Sequence, residues 1–433
     1  MDGRSNPGLA RLGAAAVLVL TSAGCWPAAG QGPDRTAHNP FETVITTRTV
    51  QTLEPVWTAT TDSVTTGGVV GPPVVSTSGV HVSDSAAVTT FDKATGARRW
   101  SYPEPATFAG ILADPLVDGD RVLVSGGTPV GFGGAWTAVA WWVDARTGAE
   151  SPAPGLRTTA RRGTLLAGYS AAGGAPAGYI VVALEVRDTA VPGAGWSATV
   201  RFGFDDFRVG LPATLGAQRL YYGGVASESY DPIVDVTGVR AYPLTTPDTC
   251  VLPPDGGPFG GLPCPLWATP TEGLPVTSPV LGPGESVLYV GLDDGTLLAL
   301  DAADGHVLWS AALGAAPSAD PALADGRIHV PLADGDLVTL PADGCGAPTC
   351  AVAWRSHLGG AGVQPAVAGG VVFVGTDAGQ LVALRAAGCG RPTCHPLWQR
   401  DLGGPVTGAP AVSGGRVYVG VSPDTVVALA PTP

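Results

Sequence analysis

The chain has a single lysine, Lys93, and no run of basic residues. Its 36 Asp and Glu residues outnumber 23 Lys and Arg residues, which gives a formal net charge of −13 at pH 7. Because nucleic-acid binding depends on clustered cations that neutralise phosphates, this balance argues against a nucleic-acid partner. The six histidines show no paired spacing and no Asp-x-Asp-x-Asp-Gly calcium loop occurs. The sequence therefore predicts no catalytic residue, no metal site and no cofactor.

Long apolar runs are also scarce. The apolar run at residues 12–20 is too short to span a membrane, follows Arg4 and Arg11, and ends in Ser22-Ala23-Gly24-Cys25. This pattern resembles a bacterial lipoprotein signal, although Ser22 stands where leucine or valine is usual. It implies a signal peptide at residues 1–24, a lipidated Cys25 and a tether to residue 43, which would anchor the chain to a bacterial membrane outside the cytoplasm. The alternative is cleavage after Ala29, which would remove Cys25.

The most informative feature is a repeat. Residues 287–309 comprise two short apolar runs joined by an Asp-Gly turn, then a second Gly turn and a terminal Trp, and parts of this unit recur along the chain. A repeat of about 42 to 45 residues with four strands predicts a β-propeller blade. The fold class is therefore all-β, with eight four-stranded blades over residues 44–433 and seven as the alternative. The step of 97 residues from Pro115 to Pro212 has room for two blades, and the missing one is placed near Arg161 to Phe204. The other units begin at proline: Pro73, Pro115, Pro212, Pro279, Pro321, Pro365 and Pro410.

The chain ends predict how the ring closes. The last unit stops at Leu429 without an outer strand, whereas Trp57 near the N-terminus has no repeat before it. An N-terminal strand that completes the last blade would leave no unpaired edge there. The tryptophans that share one place in the unit are predicted to dock neighbouring blades; they are Trp57, Trp100, Trp309, Trp354 and Trp398.

The chain lacks adjacent cysteines, and six of its seven cysteines form three local pairs. Each pair precedes a Trp and straddles the predicted turn between the third and fourth strands of a blade, within disulfide reach in an exported protein. Metal binding by pooled thiolates is the alternative, but the C-x4-C spacing is not that of zinc ribbons. The predicted disulfides are Cys250–Cys264, Cys345–Cys350 and Cys389–Cys394.

Two segments carry the family resemblance. Ala299-Leu-Asp301-Ala-Ala-Asp-Gly305-His-Val-Leu-Trp309 and Phe91-Asp92-Lys-Ala-Thr95-Gly96-Ala-Arg-Arg-Trp100 resemble the tryptophan docking repeat of the quinoprotein-type propellers. This family includes quinone-dependent alcohol dehydrogenases and BamB-type lipoproteins. The dehydrogenases are implied to need adjacent cysteines and Glu, Asn and Asp calcium ligands, none of which could be mapped onto this sequence.

The predicted function is therefore that of a non-catalytic, lipid-anchored scaffold that is monomeric and binds unknown protein partners. The alternatives are a quinone-dependent dehydrogenase-like enzyme and a glycan or cell-wall ligand binder. Long loops between the second and third strands of blades 2 and 4 are candidate binding sites. Their candidate residues are Phe132, Trp136, Glu228, Tyr230 and Asp231.

Overall fold

The computed structural model of the chain describes thirteen ranges, in which no helix is long and apolar enough to cross a membrane. The predicted signal peptide, residues 1–24, lies outside the described residues. The described ranges are 25–61, 70–84, 87–103, 111–129, 136–152, 157–162, 165–172, 180–188, 195–203, 211–230, 233–245, 248–251 and 262–432.

Eight antiparallel sheets of four strands form the ring, so the predicted eight-bladed propeller is confirmed. In each blade the strands A to D pair in chain order, except in blade 8, and the A strands of adjacent blades contact each other around the central axis. The first four blades contain Val74–Val75, Val80–Ser83, Ala87–Phe91 and Arg98–Pro103 (blade 1); Ile111–Asp118, Arg121–Pro129, Trp136–Asp144 and Glu150–Pro152 (blade 2); Arg157–Arg162, Leu165–Ala172, Ile180–Asp188 and Gly195–Gly203 (blade 3); and Thr214–Leu215, Arg219–Tyr230, Ile233–Pro243 and Trp267–Pro270 (blade 4).

The remaining blades have shorter and more regular strands. They contain Val280–Leu281, Val287–Gly291, Thr296–Asp301 and Val307–Ala312 (blade 5); Ala322–Ala324, Arg327–Pro331, Asp336–Pro341 and Trp354–His357 (blade 6); Ala366–Ala368, Val371–Gly375, Gln380–Arg385 and Trp398–Asp401 (blade 7); and Ala411–Ser413, Arg416–Val421, Thr425–Pro431 and Leu53–Thr60 (blade 8). Outside the blades lie the strand His38–Asn39, the small hairpin of Thr249–Val251 and Leu262–Pro263, and the 3-10 helices Val50–Thr52 and Pro283–Glu285.

The burial of each strand follows its place in the blade. Val371–Gly375, the B strand of blade 7, is buried at every position because both faces of its sheet pack against neighbouring blades. The D strand Val307–Ala312 alternates between exposed and buried residues near the rim. This contrast explains why the inner strands are continuous apolar runs in the sequence, whereas the outer strands are mixed.

The N-terminal strand closes the ring as predicted. Leu53–Thr60 pairs antiparallel with Thr425–Pro431 and becomes the D strand of blade 8, with Leu53 opposite Pro431 and Thr60 opposite Thr425. The C strand of the last blade is therefore paired on both sides and is not left as an open edge to which another chain could add a strand.

The turns alternate between the two faces of the ring because successive strands of each blade run in opposite directions. We call the side that carries the A–B and C–D turns, such as Asp325-Gly326 and residues 92–96, the AB/CD face. The other side, with the B–C turns and the D–A connections, is the BC/DA face; Asp293-Asp294-Gly295 is one of its turns.

An N-terminal arm, residues 26–45, runs along the A strands. It bonds to blade after blade in ring order, and His38–Asn39 adds a parallel strand to blade 7. The composition of residues 26–43 predicts a tether, whereas the structure shows this segment packed onto the ring. Its hydrogen bonds join Trp26 to Val75 in blade 1, Pro27 O to Val117 N in blade 2, Pro33 O to Leu215 N in blade 4, Asp34 O to Leu281 N in blade 5, Thr36 O to Leu323 N in blade 6, Ala37 O to Val367 N in blade 7, and Asn39 Nδ2 to Val412 O in blade 8.

Candidate functional site

Docking tryptophans join consecutive blades through a glycine seat. The Trp57 indole of blade 8 donates from Nε1 to Lys93 O in blade 1 at 3.0 Å, and a Cβ built at Gly96 would lie 2.7 Å from its ring. Gly96 also has φ +71°, so a side chain there is excluded both by the contact with the indole and by the backbone conformation. The other seats are Gly148 for Trp100, Gly305 for Trp267, Gly344 for Trp309 and Gly388 for Trp354.

Two tryptophans depart from the predicted set. Trp267 was not predicted to dock, yet it donates from Nε1 to Ala302 O at 3.2 Å in the next blade; its position three residues after Cys264 was the available signal. Trp398 is half-buried against the core cluster that includes blade 8. Blade 8 has no continuous C–D turn to seat Trp398, because its C and D strands come from opposite ends of the chain.

The three predicted disulfides are formed: Cys250–Cys264, Cys345–Cys350 and Cys389–Cys394. The last two also bind the preceding blade. Ser310 N donates to Pro348 O at 2.9 Å and Cys350 N donates to Ser310 O at 2.8 Å, which adds the disulfide loop to the outer strand of blade 5. Arg355 makes the equivalent pair of bonds with the loop of blade 7. Disulfides place the chain in an oxidising compartment outside the cytoplasm.

Two histidines are buried in the blades and are structural. His81 contacts Thr90 Oγ1 through Nδ1 at 2.7 Å and Ser76 Oγ through Nε2 at 2.8 Å. His329 contacts Thr339 Oγ1 through Nδ1 at 2.8 Å. Burial lowers the pKa of each imidazole to about 3, with a further lowering from nearby cations. Both rings are therefore neutral at physiological pH.

The B–C connections of blades 2 and 4 are extended hairpins. The prediction of long loops at residues 127–135 and 225–235 is only partly right, because ladder pairing continues to Pro129 opposite Trp136 and to Tyr230 opposite Ile233. The B strands have 9 and 12 residues, against 5 in blade 5. At about 3.3 Å per residue the hairpins rise roughly 13–23 Å further on the BC/DA face.

Three of the five candidate binding residues lie near the described ends of these hairpins. Trp136 begins the C strand of blade 2, and Glu228 and Tyr230 belong to the last part of the B strand of blade 4. Phe132 and Asp231 lie outside the described residues. The structure thus places three of the five at the tips of two hairpins that share a face.

The B–C turns of blades 5 to 7 are short and acidic. Their exposed carboxylates belong to Asp293, Asp294, Asp334 and Asp377, and the described residues of these turns include no Lys or Arg. Local bonds explain part of the pattern, since Asp294 Oδ1 accepts from Thr296 N and Asp293 Oδ1 accepts from Leu274 N. The outcome is a low region with exposed aspartates beside the taller hairpins of blades 2 to 4.

An ion pair of one cation and one anion lies inside the ring. Arg35 of the arm contacts Asp320, just before the A strand of blade 6, at 2.8 Å, with side-chain exposures of 7% and 13%. Asp320 Oδ1 also accepts from Ser278 N at 2.7 Å. Three buried donors nearby in the ring wall and arm have no hydrogen-bond partner within the described chain: Arg35 Nε, Ser278 Oγ and Gln364 Nε2.

These interior residues do not fit a calcium-bound quinone. The Asp320 carboxylate is already engaged by Arg35 and Ser278, and the sequence has no adjacent cysteines. Within the described ranges, one group of three carboxylate or imidazole ligands comes together, and it lies at the C–D turn of blade 5, away from the axis. It comprises Asp301, Asp304 and His306, whose carboxylates accept bonds from their own turn.

Cys25 lies at the start of the arm on the AB/CD face, outside the three disulfides and half-buried. Burial raises the pKa of its thiol, and the charge of Lys93 in the C–D turn of blade 1 lowers it in part. The next residue, Trp26, is 1% exposed and exchanges two backbone hydrogen bonds with Val75.

Comparison with known families identifies this ring of docked blades. The family model described as outer membrane protein assembly factor BamB matches residues 46–199, 265–345 and 344–432, which is most of the chain. The chain belongs to this family. A search of curated proteins gives no match.

Solved structures with the same fold include members of this family and dehydrogenases. BamB from Moraxella catarrhalis is 17% identical, with a TM-score of 0.53 over 87% of this chain and 97% of that one. A quinohemoprotein alcohol dehydrogenase from Pseudomonas putida HK5 is 14% identical, with a TM-score of 0.66 over 94% and 80%. That of Comamonas testosteroni is 17% identical, with a TM-score of 0.59 over 94% and 80%. At these identities the structural likeness shows the fold alone.

Proposed function

We propose that this chain is a lipid-anchored, extracytoplasmic propeller that binds a protein partner through its BC/DA face and catalyses no reaction. The observation that carries the proposal is the pair of hairpins in blades 2 and 4, which rise above the regular blades 5 to 8. The family match to an assembly factor supports a binding role, and the three disulfides support the compartment.

On the BC/DA face, the raised hairpins would contact the side of a bound partner. The hairpins place Trp136 and Tyr230 at their tips, and aromatic residues supply much of the binding energy in protein interfaces. The exposed aspartates of blades 5 to 7 favour a partner with basic residues, because complementary charge raises the rate of encounter.

Trimming the hairpins tests the partner site. Residues 126–139 and 225–237 are each replaced by a short Asp-Gly turn, as in blade 5, and the tagged protein is recovered from membranes with its partners identified by mass spectrometry. We expect the trimmed protein to fold, because the remaining ladder matches that of blade 5, and to lose its partners. A matched control shortens residues 252–261 between the C and D strands of blade 4, on the opposite face, and should keep them. Loss with the control, or capture unchanged by both trims, contradicts the proposal.

The enzymatic alternative has its own test. The purified protein is mixed with pyrroloquinoline quinone and calcium, and cofactor binding is followed by fluorescence while dye-linked oxidation of alcohols and sugars is assayed. We expect neither binding nor turnover, since the interior carboxylate Asp320 is neutralised by Arg35. Stoichiometric binding of the quinone would establish the dehydrogenase alternative instead.

The anchor is tested separately by Cys25→Ser. The wild-type N-terminal peptide should begin at Cys25 and carry the mass of a diacylglycerol, and the variant should be released from membranes or remain unprocessed. A wild-type protein that begins near Gln31 and is found in the medium would contradict lipid anchoring.

A further inference from the structure

The N-terminal arm leaves almost no slack between Cys25 and the ring. Trp26, the next residue, is fully buried and holds Val75 of blade 1 through two backbone hydrogen bonds of 2.8 and 2.7 Å. Since one residue spans at most about 3.6 Å, the Cys25 sulfur, where a lipid would be attached, stays within several ångströms of the AB/CD face. A lipid there would bring this face, and not the rim or the BC/DA face, to the membrane.

Exposed apolar side chains are concentrated on the same face. Phe41 is 42% exposed and lines a depression beside Pro283 and Asp325, in the A–B turns of blades 5 and 6. Val44 is 53% exposed and lies against Gly415, in the A–B turn of blade 8. Three more begin outer strands directly after C–D connections: Leu266, Val307 and Leu308. Val56, on the outer strand of blade 8, is the sixth large apolar side chain that is exposed among the residues whose side chains the structure describes.

The turns of the opposite face in blades 5 to 7 are polar where the structure describes them. The exposed B–C turns of these blades carry aspartates without a compensating Lys or Arg in the described turns. Exposed aspartates also occur in the A–B and C–D turns, for example Asp304, Asp325 and Asp343, so the two faces differ in their apolar side chains and not in their charge. Apolar side chains at an interface gain by leaving water.

We propose that the AB/CD face lies against the bilayer that carries the lipid of Cys25, with Phe41 and Val44 inserted among the headgroups, so that the BC/DA hairpins point away from the membrane. This inference rests on the lipid anchor proposed above. The arm then acts as a fixed mount that sets the orientation of the ring, and the partner site of blades 2 and 4 faces the aqueous space.

Matched alanine positions on the two faces test this orientation. Ala94 is exposed in the C–D turn of blade 1, and Ala378 is exposed in the B–C turn of blade 7. The variants Ala94→Cys and Ala378→Cys of the full lipoprotein are labelled with a maleimide fluorophore, which spares the blocked Cys25 and the disulfides. They are then reconstituted into phosphatidylethanolamine and phosphatidylglycerol vesicles that include a nickel-chelating headgroup lipid as quencher.

We expect several-fold stronger nickel quenching of the Ala94→Cys label than of the Ala378→Cys label. Phe41→Ser combined with Val44→Ser should reduce the difference, whereas Val56→Ser, a change at a similarly exposed valine on the rim, should not. Equal quenching at both positions, or stronger quenching at position 378, overturns the orientation.

The mass of the N-terminal peptide separates the two proposals. If Cys25 carries no lipid, the anchor itself fails and the labelled proteins do not stay on the vesicles. If Cys25 carries the lipid and quenching is uniform, the anchor stands and the fixed mount is refuted.

Discussion

Trp57 lies opposite Ala428 in the ladder that joins the first blade strand of the chain to the last. Its indole also reaches into blade 1, where Nε1 donates to Lys93 O. Trp57 therefore belongs to the strand pairing of blade 8 and also joins blade 8 to blade 1, where the two ends of the propeller meet.

Trp57→Ala should lower the free energy of unfolding by about 3–5 kcal/mol, the range for removing a large buried aromatic side chain. The neighbouring change Val56→Ala, at a residue that is 47% exposed, should cost less than about 0.5 kcal/mol. Urea unfolding of both variants measures the difference. Similar costs for the two would show that closure does not depend on the indole.

Arg35 of the arm and Asp320 of the ring should show a large coupling energy. Arg35→Met or Asp320→Asn alone should cost about 3–5 kcal/mol, because each leaves a buried partner without its counter-charge. The double variant should cost clearly less than the sum. Glu54→Gln, which removes an exposed pair with Arg400, serves as control and should cost at most about 1 kcal/mol. Additive single effects in a double-mutant cycle would mean that the two side chains do not interact.

Acid should destabilise the ring through its buried histidines. The folded pKa of His81 and of His329 is about 3, below the ordinary value of 6.5, so the unfolded chain binds more protons between these pH values. The contribution of these histidines to the free energy of unfolding is therefore fully present above pH 6.5. It falls as the pH drops toward 3, by up to about 1.4 kcal/mol per pH unit for each histidine.

His329→Phe tests this dependence, since Phe373 occupies the same strand position in blade 7. The variant should lose about 1 kcal/mol at neutral pH with its bond to Thr339, and its stability should fall less steeply between pH 6 and 4. His395→Phe, at an exposed position, should leave the slope unchanged. The slopes come from urea midpoints measured across this pH range.

The disulfide loops should stabilise pairs of blades. Cys345→Ser with Cys350→Ser frees a loop of short sequence separation, which should cost about 2 kcal/mol in the chain-entropy model. Because Ser310 makes two backbone hydrogen bonds with that loop, its amide hydrogen should also exchange with solvent faster in the variant. The same pair of changes at Cys389 and Cys394 should affect Arg355 and leave Ser310 protected. Exchange that is unchanged at both amides would contradict the coupling between blades.

The ring could be predicted from the sequence because its determinants repeat. Prolines such as Pro321 and Pro365 mark each A strand, and the lone Trp57 matches the tryptophan missing from the last unit. The arm could not be predicted in the same way. Its bonds are made by backbone atoms, for example Pro33 O to Leu215 N, and a backbone bond between distant residues leaves no pattern in side-chain identity.

The candidate site was predicted only in outline. Aromatic residues such as Trp136 and Tyr230 indicated long connections, but the sequence around Gly223 and Gly224 gave no sign that the strands continue, because glycine is unfavourable in strands. Cross-strand pairing over eleven positions overrides that preference here. Trp267 was missed because its blade carries an insertion that hides the repeat spacing.

The path of the arm also imposes an order on biosynthesis. Residues 26–39 are made first, yet their bonding partners are distributed as far as Val412, and the strand that follows them waits for residues 425–431. A chain cut short before blade 8 would keep the bonds of the arm to the earlier blades but leave Leu53–Thr60 without its partner strand and exposed to proteases. The first blade strand of the polypeptide can therefore pair only after the last strand has been made, which leaves incomplete copies open to degradation.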